Sequence, residues 1–78
     1  MYFGRVYTNA FIKQLRERYP EGTRIELVSL YDPCRADISY RDQGTVAHID
    51  SNARISVNWD NGYICDLIYD DDVFRVID

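Results

Sequence analysis

Apolar residues recur along this chain with two different periods, and the change from one to the other divides it. Across Asn9–Arg18 and into the following residue, Phe11, Leu15 and Tyr19 recur at i, i+4 and i+8. Ile12 widens that stripe, while Lys13, Gln14, Arg16 and Glu17 take the other faces. This is the spacing of an amphipathic helix. Thr8 or Asn9 can cap its first turn with a side-chain oxygen, and Pro20 pushes Tyr19 toward an extended backbone and ends it. About ten residues make a marginal helix alone in water, so its apolar stripe must dock. The β region is the expected surface, with a partner molecule as the alternative.

Beyond Gly22 the period becomes two, as in half-buried strands. Residues 24–30 place Ile25, Leu27 and Ser29 on one face and Arg24, Glu26 and Val28 on the other. Residues 44–50 pair Val46 with His48 against Ala47 with Ile49. After a turn at Asp50, Ser51 and Asn52, Ile55, Val57 and Trp59 alternate with Ser56 and Asn58. Asn61-Gly62 predicts a two-residue type I′ turn, which sets Trp59 and Ile64 close to the hairpin end and returns the chain through Cys65, Asp66 and Leu67. Residues 69–72 read as a polar 3₁₀ turn. Residues 73–77 close the sequence with Phe74 and Val76 on one side. Between the first two strands, residues 31–43 lose all period and form a long loop, the kind of segment that often carries function. Residues 1–7 are aromatic and interrupted by Gly4; they read equally as a strand or an arm. The fold class expected is mostly β with one N-terminal helix, a five-stranded SH3-like small barrel over residues 21–78 preceded by an arm and helix over residues 1–20.

The 78 residues allow one small domain, and 46% hydrophobic with 28% charged residues is the balance of a folded chain. Cys34 and Cys65 are too few for a disulfide scaffold, no secretory signal is recognisable, and no apolar run approaches the roughly 20 residues of a membrane span. Free thiols and a cytoplasmic location are expected. The net charge of −4 is unevenly spread. Arg5, Lys13, Arg16 and Arg18 outweigh Glu17 at the start, whereas Asp60, Asp66, Asp70, Asp71, Asp72 and Asp78 outweigh Arg75 at the end. The two ends could pair with each other, face partners, or be ordinary solvated surface.

One ordered set of residues resembles a known family. Gly22-Thr23-Arg24-Ile25-Glu26-Leu27, Asp32-Pro33, Gly44-Thr45-Val46 with Ile49-Asp50, then Ile55, Val57, Trp59-Asp60-Asn61-Gly62 and Leu67-Ile68 follow one another as in domain-of-unknown-function family 4314. That family comprises small proteins of Firmicutes-type bacteria, their phages and mobile elements. The resemblance covers about residues 20–77 and leaves the helix of residues 8–19 outside the shared core. Cys34 stands where the family tends to have an aromatic, and residues 35–43 lack its prolines. The family implies a fold and a source, and it transfers no catalytic or binding residue. Leu30-Tyr31-Asp32 is also similar to a loop of proline-rich-peptide-binding SH3 domains, but those domains also need a second tryptophan-bearing wall and a proline and tyrosine near the last 3₁₀ turn, where this chain reads Tyr69-Asp70-Asp71-Asp72.

The candidate chemistry is sparse. His48 is the one histidine, with Asp50 two residues on, and an enzyme would need it assembled with a nucleophile such as Cys34 or Cys65. No zinc-ligand spacing, calcium loop or phosphate loop is recognisable, so no metal or cofactor is expected. The seven tyrosines are the unusual feature. Tyr31, Tyr40 and Tyr69 fall in predicted loops beside Asp32, Asp37, Asp42, Asp70, Asp71 and Asp72, a candidate protein-binding face because tyrosine buries area and keeps a polar handle. The alternatives are scattered surface tyrosines or an aromatic seam under the helix. An acidic β region argues against direct nucleic-acid binding. The function expected is a non-enzymatic protein-interaction module of bacterial, phage or mobile-element origin; the alternative is an acidic, anti-CRISPR-type inhibitor of a nucleic-acid-processing enzyme. A homodimer formed by the arm on a neighbour's sheet edge is a further possibility.

Overall fold

The structure, a computed structural model, describes residues 7–30 and 40–77. Tyr31, Asp32, Cys34 and Asp37, like residues 1–6 of the arm, lie outside the described residues. The elements are a helix α1 (Asn9–Arg18) and strands β1 (Arg24–Ser29), β2 (Gln43–Ile49), β3 (Arg54–Trp59), β4 (Leu67–Ile68) and β5 (Val73–Val76). The strands form one antiparallel sheet in the order β4-β3-β2-β1-β5. The fold is therefore mostly β with one N-terminal helix, as expected. Its ring is not closed by hydrogen bonds, because β4 and β5 are the two edges of the sheet.

The helix is built as the sequence predicts. Thr8 is the N-cap, its hydroxyl accepting from the Phe11 amide at 3.1 Å, and the Tyr19 amide ends the helix on the Leu15 carbonyl. Ile12 and Leu15 enter the same buried cluster as Ile25, Leu27, Val46, Ile49, Ile55, Val57, Trp59 and Leu67. The apolar stripe thus docks on the sheet of its own chain and contributes to the one core. Among the described residues no helix is long and apolar enough to cross a membrane.

β2 is the strand the others share. β1 pairs with its first part, Glu26 with Gln43, Ile25 with Gly44 and Arg24 with Thr45, whereas β3 follows it as far as Ile49. Gly44 faces Trp59 in that ladder, and a Cβ there would stand 2.6 Å from Val57 Cγ1, 3.0 Å from the Asn58 carbonyl oxygen and 3.1 Å from Trp59 Cε3. Glycine is what lets the indole lie against the strand. A β-bulge then breaks the register between Val46 and His48. The extra residue turns Val46 and Ile49 inward together and leaves His48 exposed, where strict alternation had put Val46 with His48. A second irregularity, between Leu27 and Ser29, leaves Val28 and Ser29 both exposed instead of alternating.

The β3–β4 turn also departs from expectation. The Trp59 carbonyl accepts from Gly62 N at 3.0 Å, and the Trp59 amide donates to the Tyr63 carbonyl. Gly62 has φ +92° and Asn61 is not among the positive-φ residues. The loop is therefore three residues long, a type I turn followed by a left-handed glycine, and not the two-residue type I′ turn. Asn61 Oδ1 accepts from Tyr63 N, and Asp60 N donates to the Gln43 carbonyl, which together hold this form. Residues 69–72 form a turn in which the Asp71 and Asp72 amides share the Ile68 carbonyl, in place of a regular 3₁₀ segment.

Candidate functional site

Of the predicted site residues, Tyr31 and Asp32 lie outside the described residues. The described ones fall in two places, residues 69–72 near the helix and Tyr40 at the opposite end of β2. At the end of β2 the helix leans on residues 69–72 through a run of rings. Tyr7 stacks on Phe11 with centroids 5.4 Å apart, Phe11 meets Tyr69 edge-on, and Tyr19 lies between Tyr69 and Phe74. Polar handles finish the contact: the Tyr7 hydroxyl donates to Asp70 Oδ2 at 2.6 Å, and Arg18 Nη1 donates to the Tyr69 hydroxyl at 3.3 Å. Tyr69 is thus a member of the aromatic seam under the helix. Asp72 is 3% exposed, and its Oδ2 accepts from Ile68 N at 2.8 Å, satisfying an amide that begins the turn out of β4. Asp71 is half-buried and Asp70 exposed.

Tyr40 lies at the other end of the molecule, where β2 begins and β3 ends. Arg41 N donates to the Leu27 carbonyl and Leu27 N to the Asp42 carbonyl, so residues 40–42 extend the β1–β2 pairing. Asn61 Nδ2 reaches Asp42 Oδ2 at 3.4 Å, bringing the β3–β4 turn alongside. At this end Tyr40 is 69%, Tyr63 50% and Ile64 82% exposed. Ile64 was expected at this hairpin end opposite Trp59, but neither it nor Tyr63 was among the residues expected to form a binding face. The longer turn explains them: the isolated bridge pairs Ile64 with Asn58, not Trp59. That one-residue change of register moves Ile64 from the core face to the solvent face. The signal in the sequence was Asp60, which extends the turn by one residue.

The outer face of the sheet between these ends carries two neutralised acids. Arg24 holds Asp60 with both Nη groups, at 2.7 and 2.6 Å, and also donates to Thr45 Oγ1. Arg75 contacts Glu26 Oε2 through Nε at 2.8 Å and Nη2 at 2.6 Å, while Gln43 Nε2 donates to Glu26 Oε1. The hydrogen bonds from Gln43 and then Arg75 hold the Glu26 carboxyl below its ordinary range, and those from Arg24 do the same for Asp60. His48 is exposed with Nε2 3.4 Å from Ser56 Oγ. Asp50 Oδ1 accepts from the amides of Asn52 and Arg54 and so caps the β2–β3 turn. Cys65 is half-buried and points its thiol at the Asp66 carbonyl. His48 and Asp50 thus make separate local contacts. Among the described residues no three His, Cys, Asp or Glu side chains converge as metal ligands.

The family model described as a domain of unknown function (DUF4314) matches residues 8–77. The match takes in α1, which the shorter resemblance left outside the shared core. No curated protein matches the chain.

Proposed function

The chain belongs to the DUF4314 family, and from that premise we propose that it is a non-enzymatic protein-interaction module of a bacterium, phage or mobile element. The observation that carries this reading is the exposed grouping of Tyr40, Tyr63 and Ile64 at the end of the sheet away from the helix. Aromatic and aliphatic side chains held on a hairpin tip cost little entropy to bury and give a partner fixed anchors.

The test is affinity capture with the wild-type chain beside a Tyr40→Ser/Tyr63→Ser/Ile64→Ser variant. Exposed positions leave the fold intact, which a circular-dichroism melt checks. Each anchor lost is worth about tenfold in affinity, or ~1.4 kcal/mol. A partner held equally by the folded variant refutes this face; loss of the partner, or of a wild-type dimer, supports it.

The second reading, an acidic inhibitor of a nucleic-acid-processing enzyme, has less support. Asp60 and Glu26 are matched by arginines and Asp72 is turned into the fold, which removes charge from any mimic of a phosphate run. Under this reading capture disappears at high salt and in an Asp70→Asn/Asp71→Asn variant.

A further inference from the structure

A second groove lies at the helix end of β2, distant from the tip just described. β1 follows β2 through Thr45, and Gly22 N and the Thr23 carbonyl continue the pairing at Val46. Beyond that point the chain has turned away into Pro20 and Glu21, so Ala47, His48 and Ile49 meet the last turn of α1 across an open groove. Arg16, Tyr19 and Pro20 form its other wall, and the lining is mainly apolar.

Arg16 is fixed there. Its Nε donates to the Ile49 carbonyl at 2.9 Å. Neither Nη group has a hydrogen-bond or ion-pair partner among the described residues. An arginine anchored through Nε and open at both Nη positions is a preorganised fork for a carboxylate. Exposed Lys13, one helical turn before Arg16, adds positive charge; Glu21 is the acid in the lining. That carboxylate favours a singly charged ligand over a phosphate dianion. The apolar walls call for an apolar group next to the ligand's charge.

We infer that this groove binds the C-terminal carboxylate of a polypeptide whose last residue is apolar. Arg16 takes the carboxylate, and Tyr19, Pro20 and Ala47 cover the terminal side chain. The site is independent of the Tyr40–Tyr63–Ile64 face, and either could fail without the other.

The experiment is a ¹H–¹⁵N titration of the full chain with an acetylated peptide ending in Val-Leu with a free carboxylate. Its C-amidated twin, an amidated peptide with an internal Asp, and inorganic phosphate are the comparisons. Saturable shifts of the Ala47 and His48 amides are expected with the free acid, at least about tenfold tighter than with the amide. Arg16→Gln should abolish the difference between acid and amide. Because Arg16 also holds Ile49, Ala47→Glu serves as a second variant: it leaves that bond in place, sets a like charge in the groove, and should weaken the free acid. Absence of shifts, equal binding of the amide, or equal binding of phosphate or the internal-Asp peptide overturns the inference. So does an undiminished preference for the acid in the folded variants.

Discussion

Replacing Gly44 with alanine tests the packing on which the sheet depends. The new methyl would stand 2.6 Å from Val57 Cγ1, 3.0 Å from the Asn58 carbonyl oxygen and 3.1 Å from Trp59 Cε3. Ordinary contacts begin near 3.5 Å, so all three neighbours must yield. None can do so easily. Val57 is 1% and Trp59 4% exposed, and the Asn58 backbone is held in the β2–β3 ladder. Overpacking a filled core costs about 1–3 kcal/mol, and a clash that includes backbone belongs in the upper half of that range, about 2–3 kcal/mol. For a domain of this size each kcal/mol moves Tm by about 4–8 °C, so Gly44→Ala should melt roughly 10–20 °C below wild type. Far-UV circular dichroism and Trp59 fluorescence would follow the transition. Val57→Ala removes the nearest atom and makes room for the methyl, so the double variant should be less destabilised than the two single changes added together. Strict additivity, or a Gly44→Ala melt within a few degrees of wild type, would refute the account of why a glycine stands opposite the tryptophan.

Leu15→Ala should cost about 2–5 kcal/mol, because Leu15 is 1% exposed and its loss leaves a cavity between helix and sheet; a shift in Tm below a few degrees would make α1 a peripheral attachment. Arg41 is exposed with φ +74°, and Arg41→Gly should raise stability by about 0.5 kcal/mol, the left-handed strain relieved less the added freedom of the unfolded chain; a lower Tm would contradict this. Glu26 and Asp60 have folded pKa values below their ordinary 4.5 and 3.8. The unfolded chain therefore binds more protons in that range, and the stability they confer, present above it, is lost as pH falls through the folded values. Urea midpoints should fall with acid in the wild type and less steeply in Glu26→Gln, and equal slopes would remove Glu26 from the acid response.

The strands and the helix were legible because burial enforces a period, and the places where legibility failed are the places where an extra residue enters. Three connections between strands carry, among the described residues, a residue with positive φ: Arg41 beside Leu27, Ala53 after the turn at Asp50, and Gly62 after Asn61. Of these, glycine alone signals its conformation in the sequence. Ala53, fully buried at φ +59°, is held by its amide on the Asp50 carbonyl and its carbonyl on the Tyr69 amide. Such demands arise from tertiary contacts, so local pattern cannot report them. The same holds for the bulge at β2, where alternation placed His48 beside Val46 and the added residue put Ile49 there instead.

The candidate face was less legible for a related reason. A run of aspartates at residues 70–72 counts as charge in the sequence, but hydrogen-bond demand decides where each one goes. The Ile68 amide needs an acceptor at the end of β4, and Asp72 supplies it from a buried position. Tyr69 similarly looks like loop surface until the helix lays Phe11 and Tyr19 against it. What the helix covers at one end it cannot offer to a partner. The open sheet between β4 and β5 needs such a cover, because Ile12 and Leu15 complete a core that the strands alone leave unfinished. Tyr40, Tyr63 and Ile64 are exposed at the other end. Their exposure is itself set by a register that Asp60 shifts by one residue, with Arg24 holding the aspartate across the sheet. The ion pair on the outer face and the apolar tip therefore belong to one arrangement: Arg24 steadies the turn that presents Ile64.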